Sequence, residues 1–107
     1  MKIEYKIVDG CAMVRAEGRA DTAGSGEFER AMLEVLEQGC SKLLLDCSAM
    51  NYISSSGLRV LLIVQKKMSA AGGRFILTNL QPGILEILEI SGFTSIFTIE
   101  SSSDAPK

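Results

Sequence analysis

The chain has 107 residues, 47% of them hydrophobic, and a formal net charge of −2. That length suits one domain over 1–107, and that apolar share can bury a core without disulfide or metal staples. Scattered lysines and arginines exclude the basic field of a nucleic-acid binder, and the lack of any histidine removes Ser-His-Asp and Cys-His catalysis, histidine phosphorelay and most zinc sites.

In chain order, residues 3–9, IEYKIVD, set Ile3, Tyr5 and Ile7 against Glu4, Lys6 and Val8, the period of a strand with one buried face. Asp9-Gly10 is a hairpin turn pair, so a second strand over 11–17, CAMVRAE, is expected to return antiparallel. The period then changes. Phe28, Met32, Leu33, Val35 and Leu36 mark a helix to about Gln38, with Gly39 as its left-handed stop. Gly24 and Gly26 weaken its first turn and predict a late or frayed start.

KLLLDCS, residues 42–48, is a continuous apolar run and reads as a strand covered on both faces. A helix is expected from about Ser55 to Ala71, closed by Gly72-Gly73, followed by a strand in RFILTN. Pro82 opens a short helix, PGILEILEIS, that Gly92 ends. SIFTIE is the last strand, and SSSDAPK, residues 101–107, reads as a flexible tail on a core of about 3–100. The fold class is α/β: a mixed sheet, antiparallel at its N-terminal hairpin and otherwise mostly parallel, covered by helices.

The three cysteines are odd in number and lack C-x-x-C spacing. Cys11 and Cys47 lie in strand-like runs and are expected to be buried, whereas Cys40 is expected to be partly exposed. Met50 and Met68 read as exposed gap fillers. The apolar runs fall short of the roughly 20 residues that span a bilayer, and no signal-peptide h-region follows Lys2. The expectation is a cytoplasmic protein with no membrane insertion, no metal and no cofactor.

The stretch that bears on function is Ser54-Ser55-Ser56-Gly57-Leu58 at the head of the second helix. Serine there is first of all an N-cap, its oxygen accepting from an orphan N–H of the first turn. Serine catalysis does not fit, because the sequence is not G-x-S-x-G and no histidine is present. No enzymatic activity is expected. Phosphorylation does fit. A phosphate at a helix N-terminus meets free N–H groups and the positive end of the helix dipole, and Arg59 lies four residues after Ser55. The helix is apolar nearly all round in its first turns, with Arg59 and Lys66 on one narrow polar stripe. That leaves its N-terminal tip as the available surface. Asp21 reads as the N-cap of the first helix, or a functional contact, or both. Asp46 reads as a strand-end residue bonding nearby loop N–H groups.

The segment LLLDCSAMNYISSSGLRVLLIVQKKMSAAGG, with Ser91-Gly92-Phe93 downstream and EGRAD at 17–21 upstream, resembles the STAS domain. Within that family it is most similar to the bacterial anti-sigma-factor antagonists. The shared pattern is an apolar strand ending in Asp-x-Ser, a short loop, and Ser-Ser/Thr-Gly-Leu opening a helix. The resemblance implies a module that, unphosphorylated, binds an anti-sigma factor that is also a serine kinase. That kinase phosphorylates the first serine of the motif, ending the association, and a PP2C-type phosphatase reverses it. By position the phosphoacceptor is Ser55, acting also as cap, with Ser54 and Ser56 as alternates. Asp21, Ser54, Ser56, Gly57, Leu58 and Arg59 would form the partner surface, and Asp46 matches the family's acidic residue at the end of the third strand. Ser54 stands where the family often carries Asp. That departure points to the alternative reading, a STAS subunit of a lipid-trafficking ABC transporter or a stress-signalling scaffold without phosphorylation.

Overall fold

A computed structural model describes residues 1–100. The element order is β1 (Lys2–Val8), β2 (Cys11–Ala20), α1 (Thr22–Glu37), β3 (Lys42–Ile53), α2 (Ser55–Ala70), β4 (Arg74–Thr78), α3 (Pro82–Ile90), a 3-10 turn (Phe93–Ser95) and β5 (Thr98–Glu100). The strands form one sheet in the order β1-β2-β3-β4-β5. β1 and β2 are antiparallel, and every other pair is parallel. This is the mixed sheet that the alternation of strands and helices implies. The expected tail over 101–107 lies outside the described residues.

Local chemistry accounts for the element ends. Asp9 (φ 52°) and Gly10 (φ 78°) both take positive φ, as a two-residue hairpin of the primed type demands, and join Val8 to its partner Cys11. Asp21 caps α1: its Oδ1 accepts from the Gly24 N–H at 2.9 Å. Asn79, at φ 59°, turns the chain out of β4.

The core lies on one side of the sheet. Ala12, Val14, Ala16, Leu43, Leu45, Cys47, Phe75 and Leu77 present the alternate face of β2, β3 and β4. Phe28, Met32 and Val35 of α1, Val60, Leu61, Val64 and Met68 of α2, and Ile84 and Leu88 of α3 pack onto it. On the opposite face Met13 is 48% exposed and Leu44 and Asp46 are half-buried, although Ile76 is fully buried. β3 is therefore not covered equally on both faces, which corrects the expectation drawn from its unbroken apolar run.

Other expectations are corrected by packing. α1 starts at Thr22, neither late nor frayed. Gly24 is buried there, and a Cβ on it would stand 2.7 Å from the Arg19 carbonyl oxygen, so glycine lets α1 approach the end of β2. β3 runs to Ile53 rather than Ser48, because Ala49 to Ile53 pair with Glu17 to Ala20 across two register shifts. β5 begins at Thr98, and Ser95 belongs to the 3-10 turn. Met50 and Met68 are buried, and Cys11 is only half-buried. No described helix is long and apolar enough to cross a membrane.

Candidate functional site

The carboxyl ends of β2 and β3 rise together, and α1 and α2 start from them. Ala20 pairs with Ile53, so the next residues, Asp21 and Ser54, stand at one edge of the sheet. The Ser54 N–H donates to the Ala20 carbonyl at 2.9 Å, and the Ser54 hydroxyl donates to the same oxygen at 3.0 Å. In turn the Ser54 Oγ accepts from the Gly57 N–H at 3.3 Å. Ser54 is thus the N-cap of α2, with extended backbone (φ −100°, ψ 177°). The cap expected at Ser55 is one residue earlier.

Ser55 is the first residue inside the helix and is exposed. Among the described residues no hydrogen bond engages its hydroxyl. Ser56 is half-buried and Gly57 is buried. A Cβ at Gly57 would lie 2.6 Å from the Ala20 oxygen and 2.8 Å from Ile53 Cγ1, so this glycine serves the close approach of α2 to the sheet edge. Leu58 is half-buried and packs against the core. Of the residues singled out in the motif, Ser55 and Arg59 are the two that are exposed.

Three charged groups surround the tip. The Asp21 carboxyl is held below its ordinary range chiefly by the Gly24 N–H, with Arg19 adding to the effect. Arg19 Nε lies 3.3 Å from Asp21 Oδ2, and its guanidinium sits 4.3 Å over the Tyr52 ring. Arg59 of α2 reaches across to Glu29 of α1, with Nη1 to Oε1 at 3.0 Å. The Arg19–Tyr52 stack was not foreseen, because it depends on β3 extending past Ser48. Two register facts would have been needed to find it.

Asp46 is placed apart from the tip. Its Oδ1 accepts from the Ser48 N–H at 3.0 Å and from Asn79 Nδ2 at 2.9 Å. Burial pushes this carboxyl up, but the bonds from Asn79 and Ser48, with the charge of Arg15, outweigh burial and hold it below its ordinary range. It ties β3 to the loop after β4, as a strand-end residue would. Among the described residues no three Cys, Asp or Glu side chains converge to hold a metal ion.

A family model of the STAS domain matches residues 2–105. The chain belongs to the STAS domain family. Within it, homology places this STAS domain among the anti-sigma factor antagonists. It is 34% identical over 105 residues to a Bordetella bronchiseptica protein named as an anti-sigma factor antagonist, BtrV, an alignment covering 98% of this chain and 90% of that one. The fold is shared with a Thermotoga maritima structure named as that of an anti-sigma factor antagonist, at TM-score 0.86 and 24% identity over 95% of this chain and 89% of that one. It is shared also with SpoIIAA in its unphosphorylated form, at TM-score 0.78 and 18% identity over 96% of this chain and 91% of that one. SpoIIAA of Bacillus has been solved in a phosphorylated form as well, which matches at TM-score 0.71 and 16% identity over 96% of this chain and 95% of that one.

Proposed function

We propose that this STAS domain is a phosphorylation-switched antagonist: unphosphorylated, it binds an anti-sigma factor that is a serine kinase, and phosphorylation of Ser55 ends the association. The observation that carries the reading is the exposure of Ser55, unbonded, between a capping Ser54 and a buried Gly57. Ser54 does the structural work of the helix start, which leaves the Ser55 hydroxyl free to be modified. Ser54 is the poorer acceptor, since its hydroxyl both donates to Ala20 and accepts from Gly57. Ser56 is half-buried.

A phosphate adds about −1.5 to −2 charge at pH 7. At the first position of α2 it faces the positive end of the helix dipole, so the fold tolerates it. A docked partner does not. The added charge sits near the ionised Asp21, and placing it in an interface brings repulsion and desolvation. A penalty of about 4 kcal/mol weakens binding roughly a thousandfold, with no rearrangement of the fold. A PP2C-type phosphatase would restore the binding form.

The test is incubation with ATP and the cognate anti-sigma kinase, followed by site mapping with mass spectrometry and titration of binding. Phosphate on Ser55, loss of binding on modification, and retained binding by Ser55→Ala are expected. Absence of phosphate from Ser54, Ser55 and Ser56 alike overturns the switch.

A further inference from the structure

The tip alone is a small surface for a stable complex. Interfaces of ordinary size cover about 800 Å² on each partner and centre on apolar anchors. Here the tip presents serines and charged groups, with Gly57 buried and Leu58 packed inward. The contact surface must therefore extend in some direction. Along α1 it meets exposed Thr22, Ala23, Gly26, Glu27 and Arg30, none of them a large apolar anchor.

Along α2 the surface changes character. Arg59 lies four residues from Ser55 on the same helical face, and Leu62, Ile63, Lys66 and Ser69 continue that face at spacings of three and four. With Ile96, which follows the 3-10 turn and is 46% exposed, these residues line an open groove of about 630 Å³. Its floor is apolar and its rim is cationic. Arg59 is matched by Glu29, but among the described residues Lys66 is exposed and has no ion-pair partner.

We infer that this groove is the second half of the partner footprint, and that it takes an acidic amphipathic helix of the anti-sigma factor. Apolar side chains of that helix would fill the space between Leu62, Ile63 and Ile96, and a carboxylate would face Lys66, in the helix-in-groove mode. A second copy of this chain is a poor occupant, since a two-fold contact on this face sets like charges of Arg59 and Lys66 against each other. The inference rests on the reading that the partner docks at the Ser55 tip, and it adds a reason for the switch. A phosphate on Ser55 stands one helical turn before Arg59 on the face that the groove continues, and it repels the acidic helix as that helix docks.

The experiment is calorimetric titration of the unphosphorylated chain with its cognate anti-sigma factor. Lys66→Glu and Ile96→Asp change exposed groove residues, while Lys67→Glu changes a neighbouring exposed lysine outside the groove. Thermal melts confirm that each variant folds; Lys66→Glu, a surface charge change, keeps the test alive if Ile96→Asp does not. Lys66→Glu and Ile96→Asp are expected to weaken binding about tenfold or more, and Lys67→Glu less than about threefold. Equal affinity of Lys66→Glu and the unaltered chain overturns the groove. If Ser55→Glu abolishes binding while both groove variants bind normally, the tip reading stands and the groove fails alone. If the unaltered chain does not bind at all, both fall.

Discussion

Ser54 and Ala20 are joined twice: the backbone N–H and the side-chain hydroxyl of Ser54 donate to the one carbonyl oxygen of Ala20, at 2.9 and 3.0 Å. The same hydroxyl caps α2 through the Gly57 N–H. Ser54→Ala removes the cap and one bond to Ala20, and is expected to cost about 1–2 kcal/mol of unfolding free energy. Ser54→Asp keeps an acceptor for Gly57 but has no proton for Ala20, so it should recover part of that loss. Denaturant melts decide the matter. A Ser54→Ala variant as stable as the unaltered chain excludes the double role.

Two glycines in helices should respond with opposite signs. A Cβ at Gly57 meets the Ala20 oxygen at 2.6 Å, a backbone atom that cannot swing away, whereas a Cβ at Gly26 of α1 meets nothing within 4 Å. Gly57→Ala is expected to destabilise by about 1–3 kcal/mol. Gly26→Ala is expected to stabilise by about 0.5–1 kcal/mol, because alanine loses less conformational freedom in a helix. Equal effects at the two sites would show that helix propensity, not the approach of α2 to the sheet edge, sets the cost.

The acid limb of stability should depend on Asp46. Its folded-state carboxyl lies below the ordinary value of 3.8, so the folded chain binds fewer protons there than the unfolded chain. That contribution is present above the ordinary value and is lost as pH falls through the lower folded one. Thermal melts of the unaltered chain and Asp46→Asn should therefore differ at neutral pH and converge as the pH falls from above 3.8 to below it. A gap of constant size across that range would assign the effect of the substitution to packing alone.

The cysteines should separate by reactivity. Burial, with the nearby charge of Asp46, pushes the Cys47 thiol up to about 12, and its Sγ lies 3.6 Å from the Leu45 carbonyl. Cys11 and Cys40 are half-exposed. Alkylation of the native chain at mildly alkaline pH should modify Cys11 and Cys40 first and Cys47 only through unfolding. Labelling of all three at one rate in native buffer would contradict the buried position of Cys47.

Element order and the head of α2 were legible because they rest on local signals. The Asp9-Gly10 turn, the change of period after Thr22 and the Ser-Ser-Gly-Leu run each carry their own chemistry. The misreadings arose where distant segments decide the outcome. Ala49 to Ile53 look like a loop until Glu17 to Ala20 supply a partner strand. Gly24 looks like a weak helix residue until the Arg19 carbonyl stands where a side chain would go. Three consecutive serines cannot show which of them caps, because that depends on the one hydroxyl within reach of Ala20. The open sheet face was hidden for the same reason: an apolar run such as Leu43-Leu44-Leu45 does not reveal that helices pack on one side of it only.

The bond between Ser54 and Ala20 spans 34 residues, with the whole of α1 between them. It cannot form until β2 and β3 have paired in parallel and α1 has folded back over them, a slow, non-local step in assembly. A nascent or locally unfolded chain therefore carries the serine sequence but lacks its presentation beside Asp21. Any protein that reads both residues together is also a sensor of completed folding, and ignores copies that have not reached the native state.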